Sequence, residues 1–357
     1  MSIPVKPETL SFGRFDQVDF VIVRVETAKF TGYGEAATLQ GPTWSEESGE
    51  TIKPIIDAYL SNVVVGKDTL EYSRIQSLMN ARVKGNSFAK AAVEMAVLDA
   101  ACKELNVPLY NLLGGKYCDV IPLSWTLANN DPKLDAEEAE ERVKQGWRIL
   151  KVKTGSLPLN EDMERVKAVR ATVGNSISIT VDANQGWNLH EAVAALRSLE
   201  EARIAFLEQP LPKWDLASLA EISKRTSIPL MADEAVCTLQ DAIYLIEERA
   251  VAAFSYKLTK MGGIINAKTI ERVADAYGIE GYVGCMIETS IGTAAYLQFA
   301  AAAHHLKYGC ELFGPLRLKS DLSSKGIKYD HGTVMVPEGP GLGVEVDEEK
   351  LDRLSQE

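Results

Sequence analysis

RILKVK (148–153), ISITVD (177–182), IAFLE (204–208), IPLMAD (228–233) and AAFSYK (252–257) are five short apolar runs, each ending on a charged residue. Their end residues, Lys153, Asp182, Glu208, Asp233 and Lys257, are spaced 29, 26, 25 and 24 residues apart. Each interval fits one helix, two loops and the next strand, the spacing of repeated βα units. A closed parallel barrel gathers its strand C-terminal ends at one face, where barrels of this kind hold active sites. The five charged ends therefore converge. Three carboxylates at one point repel each other unless a hard cation lies between them, and Mg²⁺ prefers such oxygen ligands. Lys153 and Lys257 would flank that cation.

The chain of 357 residues is too long for one typical domain and suits a barrel plus something smaller. A net charge of −12 argues against nucleic acid, whose binding rests on basic residues that neutralise phosphate. It leaves anionic substrates open, because a bound divalent cation dominates the local field. Cys102, Cys118, Cys237, Cys285 and Cys310 form no CxxC pair and are odd in number, which reads as a reducing compartment without structural disulfides. MSIPVKPETL has no apolar signal core and no long uncharged apolar run follows, so a cytoplasmic protein that meets no membrane is expected. His190, His304, His305 and His331 show no ligand spacing and are read as solvated or packed.

Outward from the repeats, FVIVRVETAKFTGYGEA alternates and turns near Gly32, as antiparallel strands do. The pattern is helical from about 46 to 115, and SFAKAAVEMAVLDAACKEL (87–105) puts Phe88, Ala91, Met95, Leu98 and Cys102 on one stripe. Strands followed by helices predict a separate α+β domain over 1–117, with a barrel over 118–315. VIPLSWT (120–126) is the expected first barrel strand, GYVGCM (281–286) the seventh and GCELFG (309–314) the eighth, ending near Glu311 with no clear helix after it. The next helix after RILKVK is expected to start near Asn160 and stop at Gly174. Residues 316–357 read as turns and strand that pack back on the first domain. Period two puts Lys151 and Lys153 on one strand face, and Thr180, Asp182 and Asn184 on another.

A single Asp or Glu at a strand end often just caps the following helix. Three in succession, framed by lysines, point to a metal centre instead. A second ammonium and a divalent cation nearby would lower a lysine pKa and supply a free amine near neutral pH. Such an amine removes or returns a proton on carbon, while the metal holds a substrate carboxylate and stabilises the enediolate.

The KVK pair, the Asp182/Glu208/Asp233 trio and Lys257 in KLTKMGG resemble the enolase superfamily, in its muconate-lactonising subgroup, whose sites pair a Lys or His base with Mg²⁺. VDANQGW, LEQP, MADE, ELFGPL and GPGLGVEVD carry the resemblance over nearly the whole chain. Lys257, where the mandelate-racemase subgroup has a His–Asp dyad, argues against that subgroup. The resemblance implies a modified (β/α)8 TIM-type barrel, (β/α)7β, under an α+β capping domain. Asp182, Glu208 and Asp233 would be the ligands of Mg²⁺ or Mn²⁺, Lys153 the acid/base, Lys151 its modulator and Lys257 its counterpart across the substrate. Asn184, Glu311, Glu288 and Trp44 are the expected substrate contacts, Trp44 being equally readable as a plain surface aromatic. Loops 11–17 and 40–47 would close the site, and Arg14 in the first could serve a different acid. Dipeptide epimerases carry Asp-x-Asp at the eighth strand end; Glu311-Leu312-Phe313 there favours lactonisation of cis,cis-muconate. The alternatives are a dipeptide epimerase, an N-acylamino acid racemase or o-succinylbenzoate synthase, and a non-catalytic binding barrel. The substrate is expected to be a small carboxylate, and the resemblance implies a homo-oligomer, often an octamer.

Overall fold

The computed structural model describes residues 1–356. Strands β1 (Ser2–Leu10), β2 (Gly13–Glu26) and β3 (Thr31–Thr38) form an antiparallel sheet in that order. Alternation puts Ile3, Val5, Val18 and Phe20 inside. The helix Ser87–Leu105 lies directly on β3. A Cβ at Gly34 would fall 1.9 Å from the Ala92 carbonyl oxygen, and one at Gly32 would fall 2.1 Å from that of Ala96. Glycine on the strand and alanine on the helix thus let the two backbones touch. The expected apolar stripe is accordingly too narrow a description: every residue from Phe88 to Cys102 is buried, because the helix is enclosed on all sides.

The expected first barrel strand is two strands. β4 (Val120–Pro122) and β5 (Ser124–Leu127) separate at Leu123, whose N–H donates to Gly332 O. From β5 the chain builds a parallel sheet with β6 (Ile149–Lys153), β7 (Ser178–Asp182), β8 (Leu207–Glu208), β9 (Leu230–Ala232), β10 (Ala253–Tyr256) and β11 (Glu280–Val283), each beside the next. The expected eighth strand is reduced to bridges. Cys310 pairs with Val283 on one side and Leu123 on the other, which closes the barrel, and a short helix Gly314–Arg317 follows where none was expected. The helix after β6 begins at Leu159 behind Pro158, one residue earlier than the sequence suggests, and ends at Gly174 with φ 70°.

β12 (Tyr329–Asp330) and β13 (Thr333–Met335) join β4 in a small antiparallel sheet on the barrel. Farther on, Leu342 N–H donates to Asp99 of the long helix at 2.8 Å, and Glu348 pairs with Arg24 of β2 at 3.5 Å. The C-terminal segment thus touches barrel and capping domain alike. Two buried carboxylates fasten the domains together at helix N-termini, where backbone N–H groups lack partners. Glu35 of β3 accepts from the N–H groups of Thr289 and Gly292, at 2.9 and 3.0 Å, at the start of helix Ser290–Ala302. Glu94 of the long helix accepts from Ile264 and Ile265 N–H at the start of helix Ile264–Ala276. Among the described residues no helix is long and apolar enough to cross a membrane.

Candidate active site

Register aligns the site. Lys153 lies beside Asp182, and Asp182 beside Glu208, across β6, β7 and β8. Asp233 and Lys257 follow directly after β9 and β10. β6 and β10 are the second and sixth of eight barrel positions, so Lys153 and Lys257 face each other across the barrel mouth, with the three carboxylates on the arc between them.

Every carboxylate of the trio is held by a lysine. Lys153 Nζ donates to Asp182 Oδ2 at 2.6 Å and to Asn184 Oδ1 at 3.0 Å. Lys151 Nζ, wholly buried over the Tyr282 ring, lies 2.6 Å from Glu208 Oε2, 2.9 Å from Glu311 Oε2 and 4.0 Å from Asp182 Oδ2. Lys257 Nζ lies 2.7 Å from Asp233 Oδ2, and Lys260 Nζ lies 2.8 Å from Asp233 Oδ1. A Cβ at Gly284 would fall 2.8 Å from Lys257 Cε, so glycine keeps the path of that side chain open.

The chain's own charges, without the cation on which a lowered lysine pKa depends, hold the site lysines up. With only the chain's own charges around it, Lys153 is pulled down by burial, but Asp182 and Glu311 outweigh burial and the nearby Lys151, and its ammonium is held above the usual lysine range. Lys151 behaves likewise through Glu208, Glu311 and Asp182, and Lys257 through Asp233 and Glu234. Burial works to raise Asp233, but Lys257 and Lys260 hold it well below the usual carboxylate range. Burial, with Asp182, Asp233 and Glu311 nearby, pushes Glu208 up to about 8 despite Lys151.

This donor set fits a divalent cation. Asp182, Glu208, Asp233, Glu234 and Glu311 stand beside Lys151, Lys153, Lys257 and Lys260, five carboxyl groups to four ammonium groups in a site where all but Lys153 are buried, so a bound cation would let the raised Glu208 and Glu234 ionise as well. Glu208 Oε1 and Glu234 Oε2 are buried without a hydrogen-bond partner, a costly condition that an ion would relieve. The trio's oxygens are nonetheless less tightly drawn together than Asp275, His304 and His305, whose ligand atoms all lie within 4.8 Å at the opposite end of the barrel. The lysines explain the spread, since each carboxylate is drawn toward its own ammonium.

A small cavity of about 50 Å³ opens on Lys153, Lys257, Asn184 and Glu311. Leu10, Phe12, Phe15 and Trp44 of the capping domain wall it, and Lys257 Nζ sits 4.1 Å over the Trp44 ring. The two capping loops reach the barrel: Ser11 Oγ donates to Asn184 O at 2.6 Å, and Glu46 pairs with Lys213 at 2.5 Å. Glu288 is the exception among the expected contacts. It lies behind the wall made by Cys285, Met286 and Ile287, with Oε1 accepting from Met286 N–H at 2.7 Å, because the chain turns back at Ile287 with φ 60°. Arg14 is also off this cavity and lines an adjoining outer pocket.

Three residues escaped the sequence reading. Gln209, at φ 33°, accepts through Oε1 from Asp233 and Ala235 N–H at 2.9 and 3.0 Å and so positions the Asp233 loop. Glu234 accepts from Asn184 Nδ2 at 3.2 Å, and burial pushes it up to about 7. Strand alternation would have turned it away, but β9 stops at Ala232. Lys260 did leave a signal, since its spacing of three from Lys257 puts both on one side of a single turn.

Residues 1–114 match the family described as mandelate racemase / muconate lactonizing enzyme, N-terminal domain, and residues 135–350 match the enolase C-terminal domain-like family. A chloromuconate cycloisomerase of Cupriavidus necator is 38% identical over 97% of this chain and 94% of its own. The solved muconate lactonizing enzyme of Pseudomonas fluorescens, complexed with muconolactone, superposes with a TM-score of 0.96 at 33% identity, over 99% of this chain and 96% of that one. The N-succinyl Arg/Lys racemase of Bacillus cereus superposes with 0.94 at 34% identity, over 99% and 95%. With capping domain, barrel and both family matches in agreement, the chain belongs to the mandelate racemase / muconate lactonizing enzyme family of the enolase superfamily.

Proposed function

We propose that the chain is a divalent-cation-dependent cycloisomerase that converts cis,cis-muconate to muconolactone. The observation that carries this reading is a small cavity with Lys153 and Lys257 on opposite sides, Glu311 between them and Phe313, two residues on, rather than a second carboxylate at that strand end. Phe313 packs on Trp125 with ring centroids 5.4 Å apart, and the other carboxylate on that side, Glu8, is paired with Arg317, so a substrate ammonium finds no free carboxylate there.

Asp182, Glu208 and Asp233 would hold Mg²⁺ or Mn²⁺, which when bound supplies positive charge beside the substrate carboxylate next to the reacting carbon. The chain's own groups do the rest. As an oxygen of the second carboxylate bonds to the far alkene carbon, the diene electrons shift to the carbon α to the first. Lys153 Nζ gives that carbon its proton, and solvent later restores the ammonium. Lys151, off the cavity, balances the charge behind Lys153. Lys257 faces the substrate from the other side, with Asn184 orienting Lys153. Phe12, Phe15 and Trp44 exclude water while the loops are closed. A cytoplasmic location fits the five free cysteines. Assembly as a homo-oligomer, an octamer by resemblance, fits the exposed Tyr117, Trp214 and Tyr277.

The test is turnover of cis,cis-muconate with Mn²⁺, followed by loss of diene absorbance. Metal-dependent loss with lactone as product is expected. Equal loss after exhaustive chelation would remove the cation from the reaction. The likeness to the N-succinyl racemase favours a second reading on the same lysines, α-proton exchange of an N-acylamino acid. N-succinyl amino acids in deuterated water test it alongside.

A further inference from the structure

Behind the wall of the catalytic cavity lies a second, larger pocket of about 500 Å³. Three residues line both: Glu8, Thr126 and Arg317. They are the partition. Arg317 ends the short helix after Glu311 and Phe313, and its guanidinium sits 5.4 Å from the Trp125 ring centroid and 5.7 Å from that of Phe313. Its carboxylate partner, Glu8, comes from β1 of the capping domain, so the pair spans the two domains. Both side chains are nearly buried, at 11% and 8% exposure. One carboxylate uses only part of a guanidinium's five donors. Burial brings Arg317 down to about 10, which leaves it a cation at neutral pH. The outer pocket adds Lys6, Arg14 and Arg142 against Glu8 and Glu138, a net positive approach for an anion.

We propose that Arg317 is a specificity residue that receives the substrate's second carboxylate, the one remote from the carbon Lys153 protonates, and that Glu8 occupies the guanidinium until the substrate displaces it. This rests on the cycloisomerase reading for the identity of the first carboxylate site. Lys153 and Lys257 mark the cavity's reacting end, and Arg317 is the cation on the wall toward the outer pocket. A guanidinium packed beside two aromatic rings presents a fork that matches a carboxylate. The cavity as closed has room for only a few waters, so a six-carbon diacid enters with the capping domain opened, which parts Glu8 from Arg317. A substrate with one carboxylate lets that pair re-form as the domain closes and gains nothing from the guanidinium.

Calorimetric titration of the full chain with Mg²⁺ tests this without turnover, using adipate, a saturated diacid that cannot lactonise, and hexanoate, which lacks the second carboxylate. The wild type is expected to bind adipate roughly tenfold or more tightly than hexanoate. Arg317→Met removes that preference, and Arg317→Lys keeps part of it. Glu8→Gln moves the other way and tightens adipate, because the guanidinium is no longer occupied; a merely structural pair would weaken binding in both variants. Hexanoate stays within about twofold throughout. Equal wild-type binding of the two ligands, a preference that survives Arg317→Met, or weaker adipate binding in Glu8→Gln would each overturn the proposal. A chain that discriminates the diacid in this way and yet leaves muconate unchanged would instead retire the lactonising reaction alone.

Discussion

Lys153, the acid of the proposed reaction, is the least enclosed of the site lysines, with 12% of its side chain exposed against 0% for Lys151. In the proposed reaction that difference separates the group that would meet substrate from the group that would set its field. Lys153→Ala is therefore expected to lower kcat about a thousandfold or more while the Mn²⁺ dissociation constant stays within a few-fold. Glu208→Gln should do the reverse in kind, weakening Mn²⁺ because it loses a charge from the ligand set. Mn²⁺ titration followed by electron paramagnetic resonance, beside progress curves on muconate, distinguishes the two. Full activity in Lys153→Ala would remove it as the acid. Unchanged Mn²⁺ affinity in Glu208→Gln would remove that carboxylate as a ligand.

The elements are arranged to bring backbone close where the site needs support. The long capping helix rests on β3 only because Gly32 and Gly34 present no side chain to it. Gly34→Ala places a methyl against the Ala92 carbonyl and is expected to cost about 3 kcal/mol or more. A urea midpoint within error of wild type would contradict that packing. The barrel's charged strand ends were readable because period two and βα spacing act together at Lys153, Asp182, Glu208, Asp233 and Lys257. The eighth strand was only half readable: Cys310 holds its place by bridges alone, and the apolar run around it overstates the strand. Glu288 is expected from the sequence at the substrate, but local pattern cannot reveal the turn at Ile287 that sends it behind the wall. The Glu8–Arg317 pair was invisible for another reason, since nothing in either neighbourhood marks a partner at the far end of the chain.

At the scale of the whole molecule, the two domains are joined by carboxylates that fold into poorly solvated positions. Burial is the main cause that raises Glu94 from an ordinary 4.5 to about 8 and Glu35 to about 7, against the backbone N–H groups that lower both. A carboxyl that holds its proton more tightly folded than unfolded contributes stability that is complete below its unfolded value and lost as pH rises through its folded value. Stability is thus expected to decline between about pH 4.5, where the unfolded carboxyls begin to ionise, and about pH 8, where the folded ones have done so. Glu94→Gln, which cannot ionise, should flatten that decline in urea midpoints measured across the range. An equally steep decline in the variant would show that the domain junction does not govern it. The same junction carries the capping loops, so its integrity also decides whether Phe12, Phe15 and Trp44 can close over substrate.

In the proposed reaction a lysine at the end of β6, Lys153, delivers a proton to carbon inside the cavity. The most direct test of that step is turnover of cis,cis-muconate with Mn²⁺ in deuterated water, with the product examined by nuclear magnetic resonance. The expected result is loss of the diene and a lactone carrying one deuterium, on one face of a single carbon, with Lys153→Ala giving none. An intact diene, or a lactone with deuterium on both faces and undiminished formation in Lys153→Ala, would contradict it.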